Sequence, residues 1–147
     1  MLQRRVLLTL YSLALVLTGI ALDRAFLGGP AVHAQSANRV FELRTYTAPE
    51  GKLADLNKRF REHTMRIFEK HGMTNIGYWT PQDSPLKENT LIYVISHKSR
   101  EAAKASWAAF GADPEWKKVS AESQVNGRIV AKVDSVFMDA TDYSPMK

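Results

Sequence analysis

The chain has 147 residues, enough for one domain and too few for two of ordinary size. About 45% of it is apolar and 24% charged, which excludes a disordered or low-complexity protein. It contains no cysteine, so disulfides and thiolate-bound metals are excluded, and Lys plus Arg exceed Asp plus Glu by 20 to 15.

The first segment reads as an export leader. Arg4 and Arg5 precede an almost wholly apolar run from Val6 to Leu22, and Pro30 leads to Ala31-Val32-His33-Ala34. A basic start, an apolar run and small residues at Val32 and Ala34 predict a secretory signal over residues 1–34, cut before Gln35. The same features admit an uncleaved anchor, because a run of 17 residues stands at the short limit for spanning a bilayer. Contact with a membrane is expected only in that case. Arg4-Arg5 is compatible with general secretory or twin-arginine export. Cleavage removes Arg4, Arg5, Arg24 and Asp23, so the net charge falls from +5 to +3. The remaining Lys and Arg are interleaved with Asp and Glu, without the basic stripe that a nucleic-acid partner needs.

Residues 35–147 then read as a single domain. Val40 to Thr47 alternates with period two, placing Phe41, Leu43 and Thr45 on one face and Glu42, Arg44 and Tyr46 on the other. After a Pro49-Glu50-Gly51 turn the period changes: Leu53, Leu56, Phe60, Thr64, Ile67 and Phe68 form a helical stripe that ends at His71-Gly72. Met73 to Thr80 is a second strand, and Pro81 to Asn89 a loop. Thr90 to Ser96 is a third strand, apolar enough for a central position. Ser99 caps a helix through Phe110, and Asp113-Pro114 starts another. Arg128 to Met138 is a fourth strand, followed by a polar tail. The order β-α-β-β-α-(α)-β predicts an α+β fold, the ferredoxin-like split βαβ sandwich, with a four-stranded antiparallel sheet and helices on one face.

The residues also carry a resemblance. Phe41-Glu42-Leu43-Arg44-Thr45-Tyr46, the Pro49-Glu50-Gly51-Lys52 turn, His71-Gly72 leading to Ile76-Gly77-Tyr78-Trp79, and Asp113-Pro114-Glu115-Trp116 resemble the NIPSNAP family over Arg39 to Met138. The resemblance implies the dimeric α+β barrel group, in which the open sheet faces of two protomers close on each other around a cavity. That group includes small monooxygenases, isomerases and haem enzymes. The NIPSNAP family itself has no agreed reaction, and the mitochondrial and vesicle-traffic roles of its animal members do not carry over to a chain with an export leader.

Parity sets the expected site. If Phe41 and Leu43 meet the helix stripe, Glu42, Arg44 and Tyr46 point toward the face that a partner subunit covers. There Glu42 needs Arg44 or Lys132 as a counter-charge, since an unpaired buried carboxylate is very costly. Alternatively, these residues decorate a solvated sheet face. His63, on the flank of the helical stripe, and Trp79, on the second strand, are the remaining ligand-contact candidates; Trp107 and Trp116 read as core. His63 and His71 are about 12 Å apart along a helix, too far to share a metal, and no metal or cofactor is expected. His71 sits at a helix C-terminus in a structural role, and His97 reads as surface.

Three functions fit these residues. A homodimer can bind a small, partly apolar molecule in its cavity. It can be a cofactor-independent monooxygenase or isomerase of the barrel group, or an assembly domain with a filled core. No phosphate loop, nucleophile elbow or zinc-helix motif is present, and no residue set dictates a reaction.

Overall fold

The computed structural model describes residues 39–146. The expected leader and its cleavage point at Ala34 lie outside them. Strand β1 (Val40–Thr47) leads into helix α1 (Leu53–Arg59), a π-helical turn (Phe60–Thr64) and helix α2 (Met65–Lys70). Strand β2 (Thr74–Trp79), a 3-10 turn (Leu86–Glu88) and strand β3 (Thr90–His97) follow. Helix α3 (Arg100–Ala112), helix α4 (Pro114–Glu122) and strand β4 (Lys132–Asp139) complete the domain. The sheet order is β2-β3-β1-β4 with every neighbour antiparallel, which is the ferredoxin-like arrangement.

Local chemistry explains the boundaries. Gly72 takes φ +76°, and Met73 N–H donates to the Phe68 carbonyl at 3.0 Å, closing α2 with a left-handed glycine. Ser99 Oγ accepts from Ala102 N–H at 3.1 Å, and Asp113 Oδ1 accepts from Glu115 N–H at 2.8 Å. These two N-caps start α3 and α4. The fourth strand begins later than its sequence suggests. Residues 128–131 spend their backbone differently: Ile129 is buried and Ala131 N–H donates to the Thr47 carbonyl at 2.7 Å, so regular pairing starts at Lys132.

The core lies between the helices and one sheet face. Leu56, Phe60, Ile67 and Phe68 from the long helical arm meet Leu91, Tyr93 and Ile95 of β3. Aromatic edges dominate: Phe60 stands 5.1 Å from Tyr93, Phe68 5.0 Å from Phe110, and Tyr78 stacks on Tyr93 at 5.3 Å.

The facing of β1 is the reverse of the parity expectation. Tyr46 packs edge-on against Phe60 of the helical arm, and Trp107 of α3 donates to Glu42, so Glu42, Arg44 and Tyr46 lie under the helices. Phe41, Leu43 and Thr45 take the other face, beside Ile92, Val94, Val136 and Met138. The physical reason is that β1 is a central strand with apolar neighbours on both sides, so hydrophobicity alone does not choose its face. The polar side chains of the inner face are tolerated because Glu42 accepts from Arg44, Ser135 and Trp107 and lies against His97, although Arg44 Nε and His97 Nδ1 have no partner.

Candidate functional site

Four donors converge on the Glu42 carboxylate. Arg44 Nη1 donates to Oε1 at 2.6 Å and Ser135 Oγ to the same oxygen at 2.7 Å. Trp107 Nε1 donates to Oε2 at 2.7 Å, and His97 Nε2 lies 3.0 Å from that oxygen. Sheet register builds most of this set: Arg44 stands opposite Ser135, and His97 lies two residues beyond Ile95, the partner of Glu42. Helix α3 supplies the indole from above.

Glu42 is 1% exposed. Burial alone would raise its pKa, but hydrogen bonds from His97, Ser135, Trp107 and Arg44 outweigh it and hold the carboxyl at about 2. An ionised carboxylate is only an acceptor, so His97 presents its Nε2–H to Glu42 and leaves Nδ1 as its second ring atom, buried and without a partner. With four donors and a lowered pKa, Glu42 is an orienting anion rather than a proton carrier. The Arg44 guanidinium lies 4.2 Å from the Trp107 ring centroid and reaches Tyr46 Oη at 3.4 Å.

Trp107 and Phe137, whose rings stand 6.5 and 6.2 Å from His97, also wall a groove of about 550 Å³ with Arg100, Glu101 and Lys104 at its sides. A second pocket of about 290 Å³ lies between α1, the π-turn and the end of α4. It is lined by Arg59 and His63. Among the described residues no group of three or more His, Asp or Glu side chains can hold a metal ion, and no helix is long and apolar enough to cross a membrane.

The sequence-derived residues therefore separate. Glu42, Arg44 and Tyr46 are together under the helices. Trp79 is on the opposite sheet face, 53% exposed. His63 is a half-buried residue of the π-turn, 3.8 Å from Glu62, and lies in the wall of the second pocket instead. Lys132 pairs with Asp134 at 2.9 Å on the surface, leaving Arg44 as the counter-charge of Glu42. His97, expected at the surface, is 2% exposed, because it continues the inward parity of Leu91, Tyr93 and Ile95. His71 has the structural role expected of it, with Nε2 2.6 Å from the Asp113 cap. Sequence reading missed Ser135 and His97 as partners of Glu42. The one available signal was Trp107, whose N–H needs an acceptor when packed on a sheet.

The NIPSNAP family model matches residues 41–145. The chain belongs to the NIPSNAP family. Among solved structures, a NIPSNAP family protein of unknown function from Agrobacterium tumefaciens aligns with a TM-score of 0.66 and 19% identity, covering 76% of this chain and 96% of that one. A NIPSNAP-like domain protein from Burkholderia xenovorans aligns with a TM-score of 0.64 and 17% identity, over 74% and 90% of the two chains. SnoaB, a cofactor-independent oxygenase from Streptomyces nogalater, shares the fold with a TM-score of 0.50 and 13% identity, over 74% and 98%. No match was found among curated proteins. This NIPSNAP chain thus shares its architecture with proteins of unknown function and with an oxygenase.

Proposed function

We propose that this NIPSNAP protein is exported through its leader, pairs with a second copy through the sheet face opposite the helices, and holds a small, partly apolar molecule in the cavity so enclosed. The supporting observation is the composition of that face. Leu43, Ile92 and Val94 are half-buried, while Val136 and Trp79 are 55% and 53% exposed, all with the same parity on adjacent strands. These side chains form an apolar patch beside the exposed Lys132–Asp134 pair of the same face, and an exposed patch rimmed by polar residues marks an interaction surface. Trp79 is the ligand contact on this face, with its indole available for stacking. Glu42 and Arg44 act from behind, fixing β1 to β4 and α3.

Light scattering of the purified protein at micromolar concentration is expected to give twice the chain mass. Val136→Glu, at an exposed position, is expected to give the chain mass with unchanged secondary structure. Wild-type protein that scatters as a monomer overturns the pairing. Native mass spectrometry of the dimer is expected to show a retained small molecule that Trp79→Ala releases.

A second reading, a cofactor-independent oxygenase, draws support from His97. Its Nε2 is oriented by the Glu42 carboxylate and its Nδ1 has no partner, the arrangement in which a general base is held. Because His97 is buried behind Trp107 and Phe137, the groove between those rings must admit the substrate for this chemistry to occur. Removing a proton from an acidic phenol or enol is the step such chemistry needs from the protein. Oxygen uptake with a panel of polyphenols, abolished by His97→Asn, is the expected result under this reading.

A further inference from the structure

Among the described residues, Arg59 is the one buried guanidinium that the Glu42 network does not use. It is 5% exposed, and its charge is permanent at any physiological pH. Its Nη1 reaches Ser123 Oγ at 3.4 Å, its guanidinium lies 5.1 Å from the Trp116 ring centroid, and its Nε has no partner. Among the described residues no carboxylate pairs with it. Burial works against the charge, and the phenols of Tyr46 and Tyr93 offset this only in part. A buried cation without a counter-ion is unfavourable unless something supplies the anion.

The local backbone presents this side chain deliberately. The helical arm widens into a π-turn immediately after Arg59, and Thr64 Oγ1 donates to the Arg59 carbonyl at 3.2 Å, five residues back. Such turns interrupt helices frequently at functional sites. Here the result is that adjacent residues, Arg59 and Phe60, are both buried, one toward the pocket wall and one in the core.

The pocket fixes the class of anion. Its volume of about 290 Å³ stands at the lower limit of the ~300–1,000 Å³ usual for ligand sites, so the ligand is small. Val119 and Val125 give it an apolar side, and Ser123 and Asn126 add hydrogen-bonding groups. The carboxylates of Asp55, Glu62 and Glu122 also line it, and they repel a multiply charged anion such as phosphate. Asp55 and Glu122 are each matched by a lysine of their own helical segment, Lys52 at 3.4 Å and Lys118 at 3.9 Å. Glu62 has only His63 beside it, at 3.8 Å, and Lys58 is a second cation of the lining; Lys58 is exposed to solvent, whereas Arg59 is buried without a carboxylate.

We propose that the pocket between α1, the π-turn and the end of α4 binds a small organic monocarboxylate, with the carboxylate on Arg59 and the apolar body against Val119 and Val125. This site lies on the helical side of the domain and does not depend on dimer formation.

Isothermal titration of the purified protein with sodium butyrate tests it, with butyramide and inorganic phosphate as comparisons at matched ionic strength. Saturable binding of butyrate is expected, with butyramide and phosphate at least tenfold weaker. Arg59→Met keeps an unbranched side chain and removes the charge; it is expected to weaken butyrate at least tenfold and abolish the preference over butyramide. Val125→Trp alters only an exposed rim position and is expected to weaken butyrate to a similar degree, which keeps the test decisive if Arg59→Met does not fold. No saturation by butyrate, tighter binding of phosphate, or unchanged affinity in both variants overturns the proposal.

Discussion

The indole N–H of Trp107 donates to Glu42 Oε2 at 2.7 Å, and that bond joins helix α3 to the first strand of the sheet. The contact explains why an acidic residue occupies an inward position of a central strand. Glu42 takes donors from α3, from β3 through His97, from β4 through Ser135 and from its own strand through Arg44. It is an electrostatic rivet between four elements. Its ionised form is stabilised by hydrogen bonding more than burial opposes it.

Trp107→Phe keeps an aromatic ring against Phe68 and Phe110, removes the donor and leaves a smaller ring beside the Arg44 guanidinium. A hydrogen bond to a charged group contributes about 1.5–3 kcal/mol. Urea denaturation is expected to show a loss in this range with an unchanged m-value. A variant as stable as the wild type would mean that the indole bond does not hold α3 to the sheet.

Arg44→Ala leaves Glu42 without its charged partner. Removing one member of a buried ion pair costs about 3–5 kcal/mol, whereas an exposed pair contributes at most about 1 kcal/mol. The expected outcome is the larger loss, with substantial recovery in Glu42→Gln/Arg44→Met, where neither charge remains. Equal losses in the single and double variants would assign the Arg44 effect to packing on Trp107 instead of charge.

The architecture was legible in the sequence and the faces of its central strand were not. Period changes at Gly51 and Gly72, the Ser99 and Asp113 caps, and the apolar run at Leu91–Ile95 each encode a local preference, and together they give the element order. Strand parity failed at Glu42 and Arg44 because it treats polar side chains as outward. Here a carboxylate, a guanidinium, an imidazole, a hydroxyl and an indole from distant positions cancel one another's desolvation. That sum is a property of the assembled sheet and has no local signature. The burial of Arg59 has no local signature for a related reason: it accompanies a π-turn, which residue spacing does not announce.

Trp79 folds over its own strand on the face opposite the helices. A Cβ added at Gly77 would lie 2.5 Å from Trp79 Cη2 and 2.7 Å from Cζ2. Gly77→Ala therefore displaces the indole, which is half-exposed and free to turn outward. Relief of glycine's strand penalty, about 0.5–1 kcal/mol, offsets much of the displaced contact, so stability is expected to stay within about 1 kcal/mol. Of the three indole N–H resonances, that of Trp79 is expected to move most, and an unmoved Trp79 resonance would show that the ring does not rest on Gly77.

Acid sensitivity follows from the same carboxylate. The Glu42 pKa falls from 4.5 to about 2 on folding. A group depressed in this way stabilises the folded state fully above its unfolded pKa and loses that contribution as pH falls through its folded value. A shift of this size at a residue 1% exposed corresponds to a contribution on the order of 3 kcal/mol. Asp113, held below the usual carboxylate range by Lys70 and then His71, loses stabilisation over an overlapping acidic range, so the raw pH profile of the wild type does not isolate Glu42. The difference between wild type and Glu42→Gln does. Denaturation at intervals between pH 7 and pH 2 is expected to show a constant advantage for the wild type above about pH 5.5, shrinking toward zero as Glu42 takes up its proton. A difference independent of pH would show that the four donors act on Gln and Glu alike, and that Glu42 is held by shape and not by its charge.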